Sequence, residues 1–500
     1  MNIIYRVDAA ADELKRKILL SKTVIESYGN SYYVSNDGND TDDGSAERPW
    51  ATLEKVTNTP LSRGDTVFFR RGDTFRGRLV TQSGVTYSAY GDGEKPIICG
   101  SAEDAAVKEY WIKADETKNI WRFYKDKADI GAIFFNGGKE YAARRCPAIA
   151  DGKFEYGTEI LADMQFICLP DPKKAETLNN STFSGITGPL YLRCDRGNPG
   201  EIFDSAELTE RSYLVTVPDH SDNIVIDNLA VKYGGAHGIG GGYVSGLTVQ
   251  NCEIAYIGGG IQSYFKSSDG GKYTPVRYGN GVELHTYCNG YTVKNCWVHD
   301  IYDAGITHQQ GGNHSVGLIF KDVSYTGNLI ENCIYSVEYF ANKSAKNGAT
   351  VLMENIRVAD NIMRYAGCGF GSQRTLEDNC WNVGTHINGW YGSENLTNGN
   401  FVIENNIFDR ALYSSPDRPL KQNTSLILVS AEAREWLPSF NGNTYICEKG
   451  NQFAYRGGLV KGGPVPFVKA ENGLSAEEIF EDKNGKIYIL QEEKNEQKAL

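Results

Sequence analysis

Across 500 residues no stretch approaches the apolar length of a membrane-crossing helix, which takes about 20 residues. There is no basic cluster either, and the formal net charge is −12. That balance argues against nucleic acid and against an anionic membrane surface as partners. The first 29 residues carry charge throughout and lack the apolar run of a secretory leader. Cysteine is present without a framework: 11 residues, an odd count, with no disulfide-scaffold or zinc spacing. Together these absences predict reduced core thiols in a cytoplasmic protein, with no metal and no cofactor.

What the chain has instead is a returning pattern of a small residue, an apolar residue and a variable one. It reads Gly238-Ile239-Gly240, Gly260-Ile261-Gln262, Gly281-Val282-Glu283, Gly305-Ile306-Thr307, Ser336-Val337-Glu338, Gly369-Phe370-Gly371 and Ala411-Leu412-Tyr413. The steps between variable positions are 22, 21, 24, 31, 33 and 42. The shortest match one coil of a three-sided parallel β-solenoid, and the longer ones a coil plus an insertion. A second pattern runs in phase: Val249-Gln250-Asn251-Cys252, Val293-Lys294-Asn295-Cys296, Ile330-Glu331-Asn332-Cys333, Val358-Ala359-Asp360-Asn361 and Ile403-Glu404-Asn405-Asn406. Coils stack about 4.8 Å apart, so an Asn column beside a column of Cys252, Cys296 and Cys333 is expected.

Ahead of the repeats, Ala9 to Leu20 put Leu14 and Ile18 on one helical face, read as a cap over the open first coil. Then come the strand Tyr32-Tyr33-Val34-Ser35, an acidic loop from Asn36 to Gly44, the helix start Pro49-Trp50-Ala51-Thr52-Leu53, and the strand Gly64 to Phe69. The loop lacks the twelfth-position Glu of an EF-hand and reads as a turn. This order of strand, acidic turn, Pro-Trp helix and Gly-Asp strand resembles the entry of right-handed parallel β-helix enzymes, the pectin-lyase-like group. The resemblance covers about seven-tenths of the chain and implies carbohydrate-active chemistry, in the glycoside hydrolase branch, without resolving a family. The expected fold is all-β: a right-handed parallel β-helix of about ten coils with an N-terminal capping helix and a small β-rich insertion. Its expected divisions are 1–30 (lead-in and cap), 31–100 (first coils), 101–217 (insertion), 218–460 (main β-helix with the groove) and 461–500 (tail).

Strand side chains alternate, so if the apolar residue of each repeat faces the core, its successor faces out. The outward column then reads Gly240, Gln262, Glu283, Thr307, Glu338, Gly371, Tyr413, and two residues further Gly242, Tyr264, His285, Gln309, Phe340, Gln373, Ser415. Carboxylates, amides and aromatics on one face suit a sugar groove better than a solvated sheet. The insertions Lys266–Asn280, Gln310–Leu318, Asn342–Gly348, Thr375–Asn400 and Ser414–Asn423 read as its walls on one side.

Glycoside cleavage needs a protonated carboxyl at the leaving oxygen and a second carboxylate as base or nucleophile. The candidates are Glu338 as the acid, Asp303 as the ionised partner, and Glu283 as a holder of substrate hydroxyls. Gln262, Tyr264, His285, Tyr302, His308, Gln309, Gln373 and Arg374 are the candidate substrate-binding residues. Some also have a structural reading: a solvated strand position for Glu283 and Glu338, a turn-former for Asp303, and no role at the site for His285. Two other functions stay open. One is a lyase acting on a uronate-containing glycan, for which Arg374 speaks. The other is a carbohydrate-binding solenoid without catalysis.

Overall fold

The computed structural model describes residues 2–22, 27–175, 187–267, 270–310, 318–341, 351–375, 384–391, 396–411, 424–431, 434–458 and 468–491. The chain is a right-handed parallel β-helix of three sheets. In one, Phe75, Ile98, Val231, Ile254, Val298, Ile330, Met363, Phe408, Tyr445 and Ile487 follow each other as direct parallel partners, so the helix is ten rungs deep. A second sheet stacks Ile226, Val249, Val293, Tyr325, Val358, Ile403 and Phe440. These side chains enter one continuous apolar core. Each buried Val, Leu or Ile contributes about 1.5–3 kcal/mol of burial. The third sheet carries the candidate site.

The corner after the second sheet shows why the sequence repeats as it does. Asn251, Asn295, Gly327, Asp360, Asn405 and Gly442 take left-handed backbone with φ of 54, 52, 64, 59, 54 and 68°. Asn, Asp and Gly bear that conformation at least cost. The residue after each turns inward, giving Cys252, Cys296, Asn328, Asn361, Asn406 and Asn443. The amides form a ladder: the Nδ2 groups of Asn328, Asn361 and Asn406 donate to the next Oδ1 at 2.9, 2.9 and 3.0 Å. Asn443 Nδ2 ends on Asp482 Oδ2 at 3.1 Å.

Register corrects the expected Cys column. Val293 pairs with Tyr325 and Lys294 with Thr326, so Cys296 stacks under Asn328, while Cys333 pairs with Ile301 one sheet away. Ile330-Glu331-Asn332-Cys333 imitates the corner motif but lies past the corner. The ten cysteines among the described residues are all buried and form no disulfide with one another; Cys380 lies outside them.

The N-terminal helix Ile3–Leu20 exists, but it covers a flank rather than the open end. Val7, Ala11 and Ile18 pack on Leu329, Ile362 and Ile446, and Lys15 sits 3.6 Å above the Trp297 ring. Asp8 pairs with Arg364. The first coil is closed instead by Trp50, Leu53 and Val56, and the last by Phe480 stacked on Tyr445 at 4.7 Å. In the acidic loop every carboxylate is engaged: Asp37 by Arg70, Asp42 and Asp43 by Arg48, and Asp40 by the amides of Ala51 and Thr52.

Residues from Trp111 to Glu210 form the insertion, a seven-stranded mostly antiparallel sheet with its own core. Trp111 is buried in that core and donates Nε1 to the Ala105 carbonyl at 2.8 Å. One of the expected walls belongs to a hairpin instead. Lys266–Asn280 is half of a hairpin, Gly260–Lys266 against Lys272–Tyr278, that precedes the strand Val282–Lys294. Residues 311–317, 342–348, 376–383, 392–395 and 414–423 of the other four lie outside the described residues.

Asn361→Ala removes both donors of one ladder rung and leaves buried partners on either side. The expected loss is about 2–4 kcal/mol by urea denaturation. Cys296→Asn extends the ladder by one rung, so its midpoint should match or exceed the wild type.

Candidate functional site

The third sheet places Gly240, Glu283, Thr307, Glu338 and Asn388 as successive direct partners. Two residues further along, Gly242, His285, Gln309, Phe340 and Trp390 do the same. Alternation therefore puts two columns on one outer face, with Ile239, Val282, Ile306, Val337 and Ile387 beneath them in the core. Glu283 and Glu338 are two rungs apart, a backbone separation of about 10 Å. Thr307 lies between them with its Oγ1 buried and unbonded among the described residues.

Glu283 is held from its entry side. Asn280 Nδ2 donates to its Oε2 at 2.6 Å, and His237 Nδ1 lies 2.9 Å from the same oxygen. That ring nitrogen is also 3.0 Å from the Asn280 amide. It serves one partner at a time: protonated, it donates to the carboxylate; unprotonated, it accepts from the amide. Burial works to raise the Glu283 pKa, but the His237 charge and hydrogen bond, the nearby His285 and the Asn280 amide outweigh it and hold the value at about 2. Tyr213 and Tyr278 close edge-on around His237 at 4.7 and 5.0 Å.

Glu338 accepts from Asn388 Nδ2 at 2.8 Å and is 7% exposed. Beside it Phe340 and Trp390 stack with centroids 4.6 Å apart and planes 7° from parallel, a flat aromatic platform. His285 lies over Gly242; a Cβ there would come within 2.5 Å of the imidazole Cε1. Asp303 occupies the bend where the strand Trp297–Gln310 enters this sheet, is 8% exposed, and its amide donates to the Gly279 carbonyl at 3.2 Å.

Of the residues expected at the site, Glu283, Glu338, His285 and Gln309 share this face, and Asp303 stands at its edge. Gln262 and Tyr264 do not, because Gly240 pairs directly with Glu283 and the strand Gly260–Lys266 leaves for the hairpin. Tyr264 is buried with Ile261, Cys146 and Ile149. His308 points inward, its Nδ1 2.9 Å from the Tyr325 hydroxyl, and burial pushes its pKa down to about 3. Tyr302 is fully buried under the Arg277 guanidinium at 4.4 Å. Gln373 follows Phe370 in a short 3-10 turn and accepts from the Arg144 amide at 2.7 Å, away from the two columns. The Arg374 side chain lies outside the described residues. Gly371 is in the same turn and Tyr413 and Ser415 are outside the described residues, so Asn388 and Trp390 take the column places expected of Gly371 and Gln373.

Asn388, Trp390, His237 and Asn280 are additions. The alternation in His386-Ile387-Asn388-Gly389-Trp390 is the signal for the first two; a histidine where the repeat wants a small residue hides it. Gly389 lies where a Cβ would come within 2.0 Å of the Tyr339 ring beneath. No group of three or more His, Cys, Asp or Glu side chains is arranged to hold a metal ion among the described residues.

No family model matches the chain, and no curated protein is similar in sequence. Solved structures are similar at low identity. One described as "The complex structure of XylC with xylose" is 12% identical, TM-score 0.46, covering 92% of this chain and 82% of that one. A GH136 lacto-N-biosidase from Eubacterium ramulus is 14% identical, TM-score 0.41, covering 93% and 67%. Pectate lyase Pel9A is 12% identical, TM-score 0.34, covering 92% and 86%. These neighbours include hydrolases and lyases alike, and the activities are theirs.

A carboxyl whose folded pKa lies below its free value adds stability above the free value and loses it as pH falls through the folded one. For Glu283 that window runs from 4.5 down to about 2. Wild type should be more stable than Glu283→Gln at pH 7, with the gap in urea midpoint closing between pH 4.5 and 2. A constant gap across that range would show that the ion pair is not its source.

Proposed function

We propose that the protein is a glycoside hydrolase acting on a neutral oligosaccharide across the face of Glu283, Thr307, Glu338 and Asn388. The observation that supports this reading is the pair of columns in register: carboxylates and amides on one line, the stacked Phe340 and Trp390 on the next. A flat aromatic pair takes the apolar face of a pyranose, while the neighbouring carboxylates and amides take its hydroxyls.

The acids divide by environment. Glu283 is held ionised by His237 and Asn280, so it cannot serve as proton donor at neutral pH; it suits hydroxyl binding or charge stabilisation. Glu338 is buried beside the aromatic pair with Asn388 donating to it, and it takes the general-acid role. Asp303, at the entry edge in the coil between the two, takes the role of second carboxylate. A lyase acting on uronates needs a cation to meet the substrate carboxylate, and neither column carries Lys or Arg among the described residues. The buried thiols support a reducing, cytoplasmic location and hence an imported oligosaccharide as substrate.

The test is hydrolysis of a panel of neutral oligosaccharides and aryl glycosides. Glu338→Gln and Asp303→Asn should each lower kcat by about a thousandfold with little change in melting temperature. Trp390→Ala should raise KM about tenfold and leave kcat within about threefold. Substantial activity in both acid variants, or turnover only of uronate polymers with release of unsaturated products, would refute the reading.

A further inference from the structure

A cavity lies away from the face, between the C-terminal end of the helix Ile3–Leu20 and the first coils. It holds about 630 Å³, within the range of small-ligand sites. Leu19, Leu20, Ile97 and Ala230 give it apolar walls, and Arg71, Lys95 and Lys232 give it cations.

The arrangement of those cations is unusual. Lys95 is 3% exposed and Arg71 8%. Both converge on one neutral acceptor: Lys95 Nζ donates to Asn228 Oδ1 at 2.8 Å and Arg71 Nη2 to the same oxygen at 3.1 Å. The remaining donations that hold them also go to neutral oxygens, namely Ser21 Oγ, the Ser21 carbonyl and the Gly93 carbonyl. Among the described residues neither cation has a carboxylate within ion-pair distance. The nearest acid behind them, Asp227, spends both oxygens on Ser88, Asn228, Gln250 and Asn251. Lys232 is paired to Glu253 at 2.8 Å, and Lys22 to the exposed Asp92 at 2.6 Å.

Two buried cations sharing an amide oxygen are costly unless a counter-charge joins them. Burial already pulls Lys95 down to about 8. A bound oxyanion supplies that charge and meets donors of both kinds, a guanidinium fork and an ammonium. We propose that this cavity binds a small hydroxylated anion, its oxyanion on Arg71 and Lys95 and its carbon skeleton against Leu19, Leu20 and Ile97. The chemistry fits a sugar acid or a sugar phosphate; the exposed Asp92 and Glu94 at the rim are acceptors for hydroxyls. This site is independent of the catalytic reading.

The test is titration calorimetry and thermal shift on the full chain with glucuronate, glucose 6-phosphate, inorganic phosphate and, as neutral control, glucose. At least one of the anionic sugars should bind and raise the melting temperature, and glucose should not. Which of the two binds names the oxyanion. Leu20→Glu places a negative charge on an exposed wall without touching the core, and should weaken the binding about tenfold or more. Lys95→Met should abolish it; if that variant does not fold, Leu20→Glu decides. Glu338→Gln should bind the anion as wild type does. No binding of any anion, or binding that survives Leu20→Glu within about twofold, overturns the proposal. So does binding lost in Glu338→Gln but kept in Leu20→Glu, since the anion would then sit on the face.

Discussion

The rest of the structure depends on the amide ladder at one corner. A buried asparagine has two donors and an oxygen with two lone pairs to satisfy. In the run from Asn328 to Asn443 each Nδ2 gives one proton to a carbonyl of the previous coil (Val293, Tyr325, Val358 and Ile403) and one to the next side chain, an amide for the first three and the Asp482 carboxylate for Asn443. Each Oδ1 receives the preceding coil's amide or backbone N–H, as from Cys296 and Asn328. The scheme closes only if successive coils are one strand spacing apart. It also needs ends that ask for less. Cys252 and Cys296 lead into it with thiols directed at carbonyls, and Asp482, an acceptor only, finishes it.

A fixed corner fixes the sheets beyond it, and from that the face follows. A slip of one residue in a parallel pair sends every side chain to the opposite side. It would bury Glu283 and Glu338 in the core and expose Val282 and Val337. The ladder resists such a slip over several coils at once, because breaking one rung strands a donor on one neighbour and an acceptor on the other. Two glycines then let the columns close: Gly242 leaves room for His285, and Gly389 for Tyr339 beneath.

This division of labour explains what was legible in the sequence. Coil length, the left-handed Asn turns and the alternation that sets Glu283, Thr307 and Glu338 outward are local facts, written in consecutive residues. Which coil stacks on which is not local. Gly260-Ile261-Gln262 satisfies the small-apolar-variable pattern but forms a hairpin, because the strand Gly260–Lys266 finds an antiparallel partner in Lys272–Tyr278. Ile330 to Cys333 satisfies the corner pattern and lies past the corner. In both cases pairing across the chain decides, and periodicity has no access to it. The helix Ile3–Leu20 shows the same limit: its amphipathic stripe predicts burial, but not whether an open end or the flank made by Leu329, Ile362 and Ile446 receives it.

Two residues that look like ligands in the sequence instead lie in a buried cluster outside the β-helix core. Tyr302 and Gln373 belong to a buried set in which Arg144 pairs with Asp129, Arg277 and Arg144 both reach the Gly259 carbonyl, and Gln373 accepts from the Arg144 amide. Asp129 in turn accepts the Ile261 amide at 2.6 Å. The set ties the insertion, the hairpin and the turn Phe370–Thr375 to the bend that carries Asp303. An isolated β-helix has no reason to bury two arginines there, since each charge must be desolvated. The cost is justified where three separately inserted segments have to meet at one angle, because a planar guanidinium satisfies several oxygens only in a fixed geometry. Polar side chains near the site therefore divide by what they join: Glu338 and Asn388 bond to each other on the outer face of the sheet, and the arginine cluster joins three inserted segments near the bend that carries Asp303.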